Sequence, residues 1–184
     1  MVEDKDFEYV RQFIDGNENA FNLLVQKYQQ RIYWHARRML GNHMDADEVT
    51  QEVLIVLFNK LKSFNFKSSL YTWIFKITAN RSINQINKRK IKRFLFLEDT
   101  DYDTLMANED LVSEIDNKEK LKHLDKVLQE LPVKQREVFS LRHFDELSYE
   151  EISEITGKTV GGLKANYFHA LKKVTELMSK DEKK

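Results

Sequence analysis

Residues 131–174 decide the fold, and they read LPVKQREVFSLRHFDELSYEEISEITGKTVGGLKANYFHALKKV. Ser148 followed three residues later by Glu151 has the spacing of a capping box, so we expect a helix to begin directly after Ser148. Gly157 permits the backbone reversal that ends this helix, and Thr159 can cap a second one. Two helices joined by so short a turn are typical of a helix-turn-helix, whose second helix enters the major groove of DNA.

The second predicted helix carries a polar and basic face, with no acidic residue before Glu176. Lysines neutralise phosphates, and amide side chains can form bidentate hydrogen bonds with bases. We therefore expect this helix to contact DNA. The predicted contacts are Thr159, Lys164, Ala165, Asn166, His169, Lys172 and Lys173.

The composition predicts an all-α protein, because the 184 residues include one proline and five glycines and the apolar spacing is helical nearly throughout. The absence of cysteine excludes disulfides and cysteine zinc sites. No two histidines stand four residues apart, and no nucleophile motif occurs. We expect no enzyme activity, catalytic residue, metal or cofactor. The lack of cysteine also predicts a cytoplasmic location. No apolar run approaches the ~18 residues of a membrane span, so we predict no membrane insertion.

The charges are segregated along the chain, although 30 basic and 30 acidic residues give no net charge. Residues 81–93 contain six basic side chains and no acid, which suggests a phosphate-binding surface. Residues 98–117 contain eight acids and no base. We predict a flexible acidic linker at 94–117 that separates an N-terminal domain, 5–93, from a C-terminal domain, 118–180.

The N-terminal domain has the pattern of a helical bundle. A helix is predicted from about Glu18 to Leu40, and Asp45 is the predicted cap of the next one, whose outer face is acidic. By composition alone, such a face is ordinary solvated surface. A further helix should begin near Leu70, and Trp73 is expected in the domain core.

Four blocks of the sequence, at 20–40, 45–61, 63–90 and 131–174, resemble those of the extracytoplasmic-function (ECF) sigma factors in order and separation. These proteins are two-domain members of the bacterial sigma-70 family. The resemblance implies two small helical domains, a region 2-like bundle and a region 4-like helix-turn-helix. It also implies that the chain binds core RNA polymerase and directs it to promoter DNA.

The resemblance assigns partners to three surfaces. The acidic helix would dock on the clamp helices of the β′ subunit through Asp45, Asp47, Glu48, Gln51 and Glu52, while the C-terminal domain would rest on the β flap. The helix-turn-helix contacts named above would read the −35 element. At the −10 element, the loop after Phe64 would capture a flipped base through Asn65, Phe66, Lys67, Ser68 and Ser69, with Asn80 beneath. The adjacent phosphates would be held by Arg81, Lys88, Arg89 and Lys90.

This sequence departs from the family pattern at Asn166 and His169, two positions that are commonly arginine. Asparagine suits adenine and arginine suits guanine, so we expect a distinct −35 preference. An anti-sigma factor is an expected partner. An alternative function is a sigma-like decoy that sequesters an anti-sigma factor without initiating transcription. A plain helix-turn-helix repressor would leave the N-terminal blocks unexplained.

Overall fold

The computed structural model describes residues 5–95 and 123–181, and every regular element within these ranges is helical. The predicted all-α class is therefore confirmed. The N-terminal half contains α1 (Lys5–Ile14), α2 (Glu18–Leu40), α3 (His43–Lys60), a 3-10 turn (Leu61–Ser63) and α4 (Leu70–Leu95). The C-terminal half contains α5 (123–129), α6 (Val133–Phe139), a π-type turn (Ser140–Phe144), α7 (Tyr149–Thr156) and α8 (Val160–Asp181).

The central element of the N-terminal half is α2, against which α1, α3 and α4 all pack. Asn17 caps its start by accepting a hydrogen bond from the Asn19 amide, and Gly41 ends it with φ of 78°. Side chains three or four residues apart form its buried stripe, as an amphipathic helix requires. They are Ala20, Leu24, Tyr28, Ile32, Ala36 and Met39.

The prediction that Asp45 caps α3 is wrong. The cap is Asn42, whose side-chain oxygen accepts a hydrogen bond from the Asp45 amide at 2.9 Å. Both residue types can cap a helix, and Asn42 takes the position because Gly41 ends α2 directly before it. The Asp45 carboxylate instead turns inward and pairs with Arg89 of α4 at 2.5 Å.

The two halves pack against each other. α7 lies against α4, and buried residues of both helices, among them Ile74, Phe75, Ile152 and Ile155, belong to one continuous hydrophobic cluster. A second cluster, which includes Leu128, Phe139 and Ala170, lies within the C-terminal half. The predicted linker begins two residues too early, because α4 continues through Leu95. The rest of it lies outside the described residues.

The described ranges include no helix that is both long and apolar enough to cross a membrane. Their long helices are amphipathic, since each carries charged residues outside its apolar stripe.

Candidate nucleic-acid and protein interfaces

The capping box that predicts α7 is present. The Ser148 hydroxyl accepts from the Glu151 amide at 3.2 Å, and the Glu151 carboxylate accepts from the Ser148 amide at 2.8 Å. Gly157 then ends the helix in the left-handed conformation, with φ of 69°. The Thr159 hydroxyl accepts from the Gly162 amide at 3.3 Å, at the start of α8. Local hydrogen bonds therefore fix the turn between the two helices.

The outer face of α8 presents Lys164, Ala165, His169 and Lys172 to solvent, while Leu163 is buried. Because α8 is anchored through its apolar side, these four side chains share the opposite side and can meet a DNA groove together. The cations of this face are Lys164 and Lys172. A cation–π contact places the Lys164 ammonium 5.6 Å from the Tyr149 ring centre of α7.

Two other predicted contacts on α8 have internal partners. The Asn166 amide donates to the Gly162 carbonyl at 2.8 Å, and the Lys173 ammonium donates to the Glu130 carbonyl at 2.7 Å. Both bonds lie near the surface, where such interactions contribute little, so either side chain can exchange its partner for DNA.

The predicted −10 loop lies between the 3-10 turn and α4. Asn65 and Lys67 are exposed, Phe66 and Ser68 are half-buried, and Phe66 adopts φ of 57°. Asn65 supports the loop by accepting a hydrogen bond from the Lys67 amide at 3.1 Å. The Ser69 hydroxyl accepts from the Thr72 amide at 3.0 Å and so supports the start of α4.

Phe64, in contrast, is a core residue, at 5% exposure. It packs against Phe7, Phe66 and Trp73, with ring centres 5.0 to 5.9 Å apart. Trp73 is half-buried and contacts the core, as expected. Phe64 therefore anchors the start of the loop in the core. The groups accessible to DNA belong to the residues that follow Phe64.

The basic face of α4 lies directly beside the acidic face of α3. Arg81 pairs with Glu52 at 3.3 Å and Lys88 with Glu48 at 3.8 Å. We call these two pairs the α3–α4 ladder. The Gln85 side chain of α4 also bridges the two helices, because it donates to both Asp45 and Glu48 of α3. Two surfaces predicted to serve different partners thus neutralise each other in part.

The remaining predicted residues divide by accessibility. Asn80 and Lys90 are exposed on α4, and Asp47 and Gln51 are exposed on α3, where they bond to each other at 2.8 Å. Asp45 is 7% exposed and bound to Arg89, so its carboxylate is withdrawn from the acidic face.

Sequence reasoning missed two exposed apolar side chains on α3. Ile55 and Phe58 are 61% and 46% exposed, and they line a groove of about 310 Å³ with Phe21, Val25 and Leu54. The helical period contained the signal, because the inward positions Val49, Val53 and Leu57 leave Ile55 and Phe58 on the outside. Exposed apolar side chains beside an acidic face are typical of a protein-binding surface.

The family comparisons match both halves of the chain. Residues 24–91 match the Sigma-70 region 2 family, and residues 121–174 match the Sigma-70, region 4 family. The chain is 33% identical to the ECF RNA polymerase sigma factor SigW of Bacillus subtilis, over 84% of this chain and 87% of the relative. It is 30% identical to the ECF RNA polymerase sigma-E factor of Escherichia coli, over 84% of each chain.

Solved structures share the fold. CnrH in complex with the cytosolic domain of CnrY has a TM-score of 0.73 at 22% identity, covering 97% of this chain and 99% of that one. The sigma factor RpoE of Bartonella quintana, in complex with the anti-sigma factor NepR, has a TM-score of 0.70 at 24% identity, covering 86% and 96%.

Proposed function

The chain belongs to the sigma-70 family, as an ECF sigma factor, and we propose on this premise that it binds core RNA polymerase, recognises −35 and −10 promoter elements and promotes DNA melting. It acts in the bacterial cytoplasm as a specificity subunit and performs no catalysis of its own. The N-terminal half, described over 5–95, serves the polymerase and the −10 element, and the C-terminal half, described over 123–181, serves the −35 element.

The observation that carries this proposal is the outer face of α8. Lys164, His169 and Lys172 are exposed together on the second helix of a helix-turn-helix, and Gly157 and Thr159 support the turn before it. In this motif the early residues of the second helix reach the base edges. Asn166 can read adenine once its side chain leaves the Gly162 carbonyl, while the lysines hold phosphates.

The polymerase contact is proposed for the exposed part of α3. Asp47, Glu48 and Gln51 offer polar groups, and Ile55 and Phe58 add apolar area one and two turns further along. An apolar centre with a charged rim is the usual composition of a protein interface. Asp45 supports this surface indirectly, by holding α3 to Arg89 of α4.

At the −10 element, Asn65, Lys67 and Ser68 are accessible to a base that leaves the stack. Asn80, Arg81, Lys88, Arg89 and Lys90 follow on α4 and would hold the neighbouring phosphates. Three of these cations already pair with α3 carboxylates, so the DNA must compete with the protein's own acids. Polymerase binding to Glu48 and Glu52 would engage two of these acids and release Lys88 and Arg81.

An anti-sigma factor is a proposed partner. One structure with the same fold is the sigma factor RpoE in complex with the anti-sigma factor NepR, which supports such an interaction for this chain. The apolar groove beside Ile55 and Phe58 gives the N-terminal half accessible area for a protein partner.

Run-off transcription from a fragmented genomic library tests the proposal, using bacterial core polymerase with and without the full chain. We expect new transcripts whose templates share −35 and −10 sequences. The double variant Lys164→Ala, Asn166→Ala should lose these transcripts while still binding core polymerase. The matched control, Lys126→Ala with Lys134→Ala, removes two exposed lysines of the same half outside the helix-turn-helix and should retain them.

The outcomes separate the alternatives. Tight core binding without transcripts would favour the decoy function, and failure to bind core polymerase would overturn the proposal. Asp47→Lys should weaken core binding, because it reverses an exposed charge. The Asp47 carboxylate accepts a hydrogen bond from the Gln51 side chain on the same helix. Asp15→Lys, an exposed acid after α1, is its control.

A further inference from the structure

The predicted −10 loop is held from one side by α1, a helix that no predicted interface includes. The Phe7 ring of α1 lies 5.2 Å from the Phe66 ring in a T-shaped arrangement and 5.9 Å from the Phe64 ring. The rings of Phe64 and Phe66 are themselves 5.0 Å apart, measured between their centres. Aromatic rings attract each other in such arrangements. We call Phe7, Phe64 and Phe66 the Phe66 cluster.

Phe66 depends on this support because its backbone is strained. Its φ of 57° lies in the left-handed region, where the Cβ of a bulky residue approaches a neighbouring carbonyl oxygen. A residue keeps such a conformation only when its surroundings enforce it. Asn65 gives local support by accepting a hydrogen bond from the Lys67 amide. The Phe66 cluster adds support from outside the loop.

The helix that carries Phe7 is itself fixed to α2. Asp6, the residue before Phe7, is 4% exposed. Its carboxylate accepts a hydrogen bond from the Tyr28 hydroxyl and pairs with the Lys27 ammonium at 2.5 Å. Because a buried carboxylate is costly to leave unpaired, these contacts resist movement of the start of α1. Phe7 therefore approaches the loop from a fixed support.

A second side chain of α1 lies against the same ring. Arg11 is exposed, and its guanidinium carbon is 5.6 Å from the Phe66 ring centre, within the range of a cation–π interaction. Phe7 and Arg11 are four residues apart and so share one face of the helix. This face of α1 is directed at the −10 loop.

The conformation of Phe66 decides how the polar groups of the loop are placed. Phe66 stands between Asn65 and Lys67, which are both exposed and both proposed to meet a base that leaves the stack. A change in the Phe66 backbone angles would alter the directions of these two side chains relative to each other. Because an extruded base is distinguished by hydrogen bonds in a shaped pocket, such a change would alter which base is preferred.

We propose that Phe7 is a positioning residue of the −10 site, which sets the base preference of the loop through Phe66 without touching DNA, and that Arg11 contributes to the same support. The proposal rests on the proposed function and adds α1 to the −10 site. A side chain that only fills the core would have a different effect, because its loss lowers transcription from all promoters alike. Loss of a positioning residue changes the ratio between promoters.

Base preference can be measured with bacterial core polymerase, the full chain and a pool of templates. The templates derive from one promoter recovered by run-off transcription, with the −10 and −35 elements randomised separately and each variant marked by a transcribed barcode. Phe7→Leu keeps an apolar side chain and removes the ring. We expect it to lower the ratio between the best and the worst base at one −10 position by about threefold, and to leave the −35 ratios unchanged.

Two variants serve as controls. Tyr9→Leu removes another half-buried ring of α1, two residues from Phe7 and so on a different side of the helix, and it should leave all ratios unchanged. Phe7→Tyr keeps the ring and should retain the base preference. Ratios in Phe7→Leu that match the unmodified chain, or an equal loss in Tyr9→Leu, would overturn the proposal.

Hydrogen–deuterium exchange in the free full chain tests the support of the loop without polymerase. We expect the amides of residues 64–69 to exchange about threefold faster in Phe7→Leu and at an unchanged rate in Tyr9→Leu. Arg11→Gln replaces an exposed side chain and leaves the core intact, so it tests the same support even if Phe7→Leu fails to fold. It should accelerate exchange by a smaller factor.

Unchanged exchange in both Phe7→Leu and Arg11→Gln would show that α1 does not hold the loop and would overturn the proposal. An unmodified chain that transcribes, together with unchanged base ratios in Phe7→Leu, would overturn this proposal alone. Absence of transcripts from the unmodified chain would overturn the proposed function and the role of Phe7 in base preference with it, whereas the exchange rates would still report whether α1 supports the loop.

Discussion

The α3–α4 ladder and a buried polar cluster use the same kinds of side chain in opposite surroundings. In this cluster, which we call the Asp145 cluster, the Asp145 carboxylate accepts from His35 and Arg38 of α2, and the Tyr71 hydroxyl donates to the Asp145 backbone carbonyl. The ladder side chains are 41 to 56% exposed, whereas the charged groups of the cluster are at most 13% exposed. An exposed ion pair contributes about 0.2–1 kcal/mol, because water solvates both partners and salt screens them. Removal of one partner from a buried pair costs about 3–5 kcal/mol.

This difference separates two uses of charge in the molecule. The ion pairs of the ladder cost little free energy to break, so their acids and bases can bind other partners instead. The cluster has no such freedom, since each of its groups would be left in an apolar environment. Exposed pairs therefore suit the proposed binding surfaces, and buried pairs fix how the halves are arranged.

The largest effect is expected for Arg136→Met, which removes the most highly bonded group of the junction. Arg136 donates to the Met39 carbonyl, to the Gln129 and Leu131 carbonyls at 2.9 and 3.1 Å, and to the Gln129 side chain. Burial without a carboxylate lowers its pKa to about 10. Loss of these bonds should reduce the free energy of unfolding by about 3 kcal/mol, measured by urea denaturation.

Lys134→Met is the control for Arg136→Met, because it removes an exposed cation from the same helix and should change stability by less than about 0.5 kcal/mol. Similar losses in the two variants would contradict a special role for the buried position.

A smaller effect is expected for Gly41→Ala, with Gly157→Ala as its matched control. Both glycines end a helix with positive φ, 78° and 69°, so both substitutions carry the strain of a left-handed alanine, about 1 kcal/mol. Only the Cβ at position 41 meets another side chain, Gln129, whereas the surroundings of Gly157 are open. Thermal denaturation should show a further loss of about 1–2 kcal/mol for Gly41→Ala, because Gln129 must give up its hydrogen bonds.

Double-mutant cycles would compare the ladder with the cluster directly. The cycle of Glu52→Gln with Arg81→Gln should give a coupling of about 0.5 kcal/mol that falls as salt is added. The cycle of Arg38→Gln with Asp145→Asn should give a coupling several times larger and nearly independent of salt. Equal couplings would remove the distinction between the two regions.

A further effect is expected at Tyr71, and it depends on pH. Burial, followed by the negative charge of Asp145, raises the pKa of Tyr71 to about 12, while Arg31 opposes the shift. A pKa raised above the unfolded value of about 10 means that the stability contribution is complete below pH 10 and is lost as the pH rises through 12. The stability difference between the unmodified chain and Tyr71→Phe should therefore shrink over this range, and a constant difference would contradict it.

The sequence predicted those features that depend on neighbouring residues. The capping box at Ser148, the glycine that ends α7 and the bounds of α2 all agree with the structure. The predicted cap of α3 was wrong because both Asn42 and Asp45 are residue types that can cap a helix. The role of Asp45 depends on Arg89, which lies in another helix. Phe64 likewise belongs to the core through contacts with α1 and α4 that its own segment does not reveal.

The sequence by itself determined the bounds of α2, the capping box of α7 and the helix-turn-helix, because the hydrogen bonds and apolar periods that specify them lie within a few residues of one another. Only the tertiary structure decided which charges are exposed and which are buried. The Asp145 cluster joins residues 74 to 110 positions apart, and the ladder joins helices that carry opposite charge patterns. Such pairings follow from how the apolar faces pack, which places polar groups from distant segments in one low-dielectric environment.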